Sequence, residues 1–362
     1  MAGFPYYRRR LGGGWAAVMV AVLSLTGSRL AHGVPWEVVY DQGVPFEATR
    51  SLRALALSAD DRFFYTGWLH GTTERAVYRH DAATGSVLDV YSLETIQPNA
   101  IATDDRGCVY IGYGESGSGR MEVRTSTLAA QVATPFDGGN ASDVEGLSIW
   151  QPNPSTYYLY VSRADGTLQR FNVTNPSSPS LDTSWATSGS YAVDGAGQLR
   201  GLAVDSGGTI FVVQRDTSTP DKDRDGFLYC ITPLFEQTSV SANGPMDVKI
   251  YGDDLYVSQY IGIGSGIDVF DKTDLSWLET LLTGFDRLED TYGYSGIDIT
   301  DDGYIYVNDQ WYWLPGIGPE RRWYDRTLTT FPVQEPRPIP EPATLALVAL
   351  GLAALARCRR RA

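Results

Sequence analysis

The stretch GLAVDSGGTIFV, Gly201 to Val212, decides how the rest of this chain is read. A short apolar run leads into Asp-Ser-Gly-Gly, and a second run rich in β-branched and aromatic residues follows. Two such runs around an acid-glycine turn predict an antiparallel hairpin, with glycine supplying the positive φ that a tight turn needs. Five other segments share the pattern: RALALSADDRFFYTGW from Arg53, NAIATDDRGCVYIGYG from Asn99, EGLSIWQPNPSTYYLYVSRADG from Glu145, MDVKIYGDDLYVSQY from Met246 and SGIDITDDGYIYVNDQ from Ser295.

Aligning the aromatic residue of each second strand gives Tyr65, Tyr110, Tyr160, Phe211, Tyr256 and Tyr306, with steps of 45, 50, 51, 45 and 50 residues. Third strands follow in ERAVYRHD, RMEVRTS, TLQRFNV, FLYCITP and GIDVFDK. A period in this range with several strands per unit predicts four-stranded propeller blades, and an all-β, six-bladed β-propeller over residues 34–333. VPWEVVYDQ, Val34 to Gln42, stands outside the repeats and alternates like a strand. It is expected to close the ring by completing the last blade, leaving no open sheet edge at the joint.

These repeats resemble the NHL and gluconolactonase-like six-bladed propellers, whose first two strands read like the Gly201–Val212 segment. The resemblance implies architecture more than activity. In gluconolactonase-like propellers, ligand and metal residues project from the starts of the innermost strands, and the matching positions here are Asn99, Glu145 and Asp247. On that analogy these three hold an axial divalent ion that activates water in a lactonase- or phosphoesterase-like hydrolase. The competing expectation is that they end strands and pair with neighbouring backbone.

A separate metal signal is DKDRDG, Asp221 to Gly226. Carboxylates at alternate positions followed by glycine suit one calcium ion, with Asp221, Asp223, Asp225 and the carbonyl of Phe227 as ligands. Thr232 stands where an EF-hand places its closing Glu, so the loop is not an EF-hand. The alternative is a solvated acidic loop tip.

Charge excludes one partner class. The chain carries 29 basic and 43 acidic residues, but residues 1–33 and 343–362 each hold four arginines and no acid. The middle therefore has 21 basic residues against 43 acidic ones, a net of −22 that repels phosphate backbones, so nucleic acid is not expected as a partner. Cys108 and Cys230 lie in apolar strand-like runs and are expected as buried free thiols, while Cys358 sits in the basic tail. His80, in HDAATG, reads as a hairpin residue, and the aromatic patch Trp311 to Trp313 reads as packing or a sugar-stacking platform.

Both ends read as addresses. Arg8-Arg9-Arg10, the apolar Trp15 to Leu25 and the small residues at Ala31 and Gly33 predict a secretory signal peptide over residues 1–33. After residue 333 comes a Pro-rich spacer, 334–342, then fourteen uncharged residues, 343–356, and a basic tail, 357–362. Fourteen helical residues span about 21 Å, short of a roughly 30 Å hydrocarbon core, so this transmembrane helix suits a transient hold.

The three-part tail resembles the PEP-CTERM sorting domain of exported bacterial proteins. The resemblance implies that Pro340-Glu341-Pro342 is recognised by an exosortase, a membrane cysteine protease. It also implies that 343–356 holds the chain in the inner membrane and that Arg357, Arg359, Arg360 and Arg361 stop transfer. The expected function is then an exported cell-surface or extracellular-matrix propeller with a binding or structural role. Extracellular polysaccharide or surface proteins are its expected partners.

Overall fold

The computed structural model describes residues 36–41, 50–70, 74–93, 96–114, 119–140, 142–215, 225–259, 266–281, 294–313 and 322–330. The expected signal peptide, spacer, transmembrane helix and basic tail lie outside the described residues. Among the described residues every regular element is a strand, and no helix is long and apolar enough to cross a membrane.

The strands form six separate antiparallel sheets. Their first strands are Arg50–Leu57, Gln97–Thr103, Val144–Asn153, Gln198–Val204, Pro245–Tyr251 and Tyr294–Ile299. Each first strand neighbours the first strand of the next sheet, and the sixth returns to the first, so these strands line a closed ring. The body is an all-β propeller.

The expectation of six four-stranded blades needs one correction. Five sheets have four strands, but the third has five. Its third strand, Thr167–Asn172, pairs with Ser180–Leu181 at one end and with Ser190–Ala192 at the other, so two short strands share the outer position. The chain between these two short strands, DTSWATSG over 182–189, lacks the alternation that a continuous fourth strand requires.

The residue pattern explains the wedge shape of each blade. Opposite the second-strand aromatics Tyr65, Tyr110, Tyr160 and Phe211 stand Ala56, Ala102, Ser148 and Ala203 of the first strands. Small residues let the first strands converge, and the aromatics fill the gap that widens outward. All six aligned aromatics are buried, from Tyr110 at 0% exposed to Tyr306 at 7%. Their hydroxyls tie neighbouring sheets: Tyr65 donates to the Ser126 carbonyl at 2.8 Å and Tyr306 to the Ala82 carbonyl at 3.2 Å. The turns between first and second strands take the expected positive φ at Asp61, Gly107, Gly208, Gly252 and Gly303.

Trp36–Asp41 pairs antiparallel with Arg322–Thr330 and makes the outer strand of the sixth sheet. This is the expected closure, in which the start of the body completes its last blade. Three further ties join the sixth sheet to the first. Asn308 Nδ2 donates to the Ala54 carbonyl at 2.9 Å, Ser295 Oγ to the Leu52 carbonyl, and the Leu57 N–H to Asp298 Oδ2 at 2.7 Å.

The expected free thiols are present as such. Cys108 is buried and Cys230 half-buried, neither in a disulfide. Burial pushes the Cys108 thiol up to about 11, with the Asp104 carboxylate adding to the effect, which leaves it a poor nucleophile.

Candidate functional site at the axial mouth

All six first strands carry a register shift near their starts. The breaks fall between Leu52 and Ala54, Pro98 and Ala100, Val144 and Gly146, Leu199 and Leu202, Pro245 and Asp247, and Tyr294 and Ile297. A bulge adds a residue that has no cross-strand partner and re-aims its side chain. The re-aimed residues are Arg53, Asn99, Glu145, Arg200, Met246 and Ser295, and all six line one pocket where the first strands converge. These are also the residues on which the six repeats of the sequence begin.

Asn99 and Glu145 therefore lie where the sequence placed them. Asp247 lines the same pocket but sits one residue past the bulge, paired with Ser258, and Met246 holds the equivalent ring position. The ring members missed by sequence reasoning are Met246, Ser295 and, more telling, the cations Arg53 and Arg200. Their signal was the first letter of each aligned repeat.

Both carboxylates at the mouth are engaged by the protein. Glu145 Oε2 accepts from Arg200 Nη1, and its Oε1 accepts from Gln198 Nε2 at 3.0 Å. Asp247 Oδ1 accepts the Val248 N–H at 2.9 Å and its Oδ2 the Ile297 N–H at 3.2 Å. Burial pushes Asp247 up to about 6, against the opposing pull of Lys249 and of those two N–H groups. Among the described residues no group of three His, Cys, Asp or Glu side chains is placed to hold a metal ion. The mouth cavity is about 30 Å³, room for a water or two, against the several hundred Å³ of a pocket that encloses a small-molecule substrate.

Lys249 and Asp298 stand where four other first strands place Ala or Ser, and they form an ion pair at 3.7 Å. Burial works against the charge on Lys249, but Asp298 and Asp247 outweigh it and raise its pKa. A larger cavity, about 270 Å³, lies between the first and second sheets beside Asp60, Phe63, Tyr65 and Asp104. Asp104 there is committed to the joint, accepting from Arg106, from Tyr110 Oη at 3.0 Å and from the Cys108 N–H at 2.9 Å.

The remaining sequence-predicted residues fall elsewhere. Asp221 and Asp223 lie outside the described residues. Asp225 opens the strand Asp225–Ile231, and Phe227 sits two residues into it, paired with both Gln214 and Ser241, where the ladder takes its carbonyl. His80 is a packing residue at the end of its strand. Its ring stacks on Phe64 with centroids 4.4 Å apart, and its Nε2 lies 3.0 Å from Thr66 Oγ1. The side chains of the Trp311–Trp313 patch lie outside the described residues.

Burial pushes His80 down to about 4, so the folded protein keeps this ring neutral where the unfolded chain, near 6.5, takes up a proton. The stability this contributes is present above pH 6.5 and lost as pH falls from 6.5 to 4, by about 3 kcal/mol. Asp247 has the opposite sign. Its folded pKa is raised, so stability rises by about 3 kcal/mol as pH falls through 6 toward 3.8. The two contributions offset each other between pH 6 and 4. Urea midpoints measured across this range should show His80→Gln gaining stability on acidification and Asp247→Asn losing it. Profiles in both variants parallel to the parent's would refute the assignment.

Comparison with known proteins gives the class first. The fold matches WD40-type propellers: the structure of U3-55K (12% identity, TM-score 0.53, 77% of this chain and 80% of that one) and that of the RRP9 WD40 repeats (11%, 0.53, 81% and 84%). The WD40 β-propeller domain of Doa1 is also similar (11%, 0.50, 79% of each chain). At these identities the likeness shows the fold alone. No curated protein matches the chain. The particular assignment comes from the tail, where residues 338–361 match the PEP-CTERM protein-sorting motif. That motif implies export, a membrane-anchored C-terminus before processing by exosortase, and then the cell surface.

Proposed function

We propose that this is a non-enzymatic surface or matrix protein whose propeller binds an extracellular ligand or partner. A signal peptide over residues 1–33 starts export, and a short transmembrane helix over 343–356 holds the chain at the inner membrane until the tail is cut. The six sheets act as six NHL-like blades. Polysaccharide or surface proteins outside the cell are the partner classes that suit an exported, acidic propeller. The observation that favours binding over metal-dependent hydrolysis is the state of the mouth. A divalent ion held by Asn99, Glu145 and Asp247 would compete with the Arg200 cation for Glu145 and with two backbone N–H donors for Asp247.

Calcium, where it binds, belongs to the Asp221–Asp225 loop, supported by its alternating carboxylates and the strongly acidic body. Metal analysis of the full-length protein separates the two sites. Asp223→Ala should lower bound calcium and Glu145→Ala should leave it unchanged, with no lactone or phosphoester hydrolysis in either. Metal lost with Glu145→Ala, together with metal-dependent turnover in the parent, would establish the hydrolase instead.

A further inference from the structure

We propose that the axial mouth is a carboxylate-binding site that takes the anionic head of a larger ligand, an assignment that rests on the binding function above. The first support is internal to the repeat. Two residues after each bulge residue the first strands hold a constant aliphatic side chain: Leu55, Ile101, Leu147, Leu202, Val248 and Ile297. The bulge position, equivalent in all six sheets, carries five different residue types. A position that the fold constrains in backbone but not in side chain is free to be set by a ligand.

The second support is charge. Arg53, Arg200 and Lys249 meet Glu145, Asp247 and Asp298, the partner of Lys249, at the mouth, a balanced set inside a body whose net charge is −22. Protonation of Asp247 below about pH 6 leaves one cation in surplus there. A mouth relieved of the body's negative charge admits a single anionic group, while the surrounding body repels polyanions.

The third support is an unused donor. The Arg200 side chain is only 9% exposed, with Nη1 on Glu145, and its buried Nε has no hydrogen-bond partner among the described residues. A buried guanidinium N–H without an acceptor is a net cost to the free protein. A carboxylate oxygen supplies the acceptor, in the geometry that arginine favours. The cavity of about 30 Å³ admits a planar head of one or two oxygens and leaves the rest of the ligand outside. A phosphate dianion is the poorer fit, being tetrahedral and facing both Glu145 and Asp247.

Two sources present such a head, an acidic sugar and a peptide C-terminus. Calorimetric titration of the full-length protein with glucuronate, N-acetylglycine, glucose and inorganic phosphate distinguishes them. Glucuronate or N-acetylglycine should bind, the tighter one naming the source, while glucose and phosphate should not. Arg200→Gln should weaken binding at least tenfold. Glu145→Gln should tighten it several-fold by freeing the guanidinium, an opposite sign that a merely structural role does not produce. If Arg200→Gln does not fold, Glu145→Gln decides alone. Absence of carboxylate binding, equal binding of phosphate, or weaker binding in Glu145→Gln overturns the site. The binding function then stands on another surface, whereas metal-dependent turnover defeats that function itself.

Discussion

Arg163→Leu is expected to destabilise the body by about 3–5 kcal/mol, read as a fall in the urea midpoint at unchanged slope. Arg163 is fully buried at 0% exposed and is among the largest side chains in the core. Among the described residues no carboxylate forms an ion pair with its guanidinium, although the nearby Asp165 and Asp137 favour its charge. Nη1 donates to the carbonyls of Gly119 at 2.9 Å, Asn140 at 3.1 Å and Ser142 at 2.6 Å, Nη2 to the Asp137 carbonyl at 2.7 Å, and Nε to Gln169 Oε1 at 2.6 Å. One side chain thus satisfies four backbone carbonyls, three in the chain that leads from the second sheet into the third and one, Gly119, just before the second sheet's third strand. Burial pushes its pKa down to about 10, which still leaves it charged at neutral pH. Leucine fills part of the volume and leaves those carbonyls without donors, each costing about 1–3 kcal/mol before water enters. Arg163→Lys should recover little, since an ammonium lacks the planar fork that reaches acceptors on several sides. A loss below about 1 kcal/mol in Arg163→Leu would mean that the carbonyl cage is not formed in solution.

Gly85→Val is expected to open the ring closure. Gly85 takes φ +68° in the hairpin after His80, and a Cβ there would lie 1.7 Å from the Val39 carbonyl oxygen. Val39 belongs to Trp36–Asp41, the strand that completes the sixth sheet. The substitution therefore combines a left-handed backbone cost of about 1–2 kcal/mol for a branched residue with a backbone collision that only a shift of the closing strand relieves. Cleavage near residue 40 under limited proteolysis should become rapid, and the thermal midpoint should fall. Unaltered proteolysis would show that the closing strand does not pack against this hairpin.

What the sequence revealed, and what it hid, follows from the range of the interactions. The hairpins, the third strands and the buried aromatics rest on local alternation and turn chemistry, which a repeat displays six times over. The closing strand was legible because an alternating segment outside the repeats has one open edge to complete. Arg163 was not, since SRADG looks like a solvated turn and only the tertiary fold brings four carbonyls around it. The Arg200–Glu145 pair was hidden for the same reason, since its members are 55 residues apart. That Met246 and not Asp247 takes the bulge position was hidden as well, because a bulge shifts register without leaving a mark in the sequence. The third sheet's divided outer strand was hidden behind a polar segment that carries no period.

The central claim is that the propeller is exported and delivered to the cell surface through its tail. Its most direct test is fractionation of cells producing the parent chain and a triple Pro340→Ala, Glu341→Ala, Pro342→Ala variant, with the size of each product measured by mass spectrometry. The parent should appear at the surface or outside the cell, shortened by the loss of the apolar segment and the arginines. The variant should stay at full C-terminal length in the inner membrane. Parent and variant found at the same size in the same fraction would contradict the account.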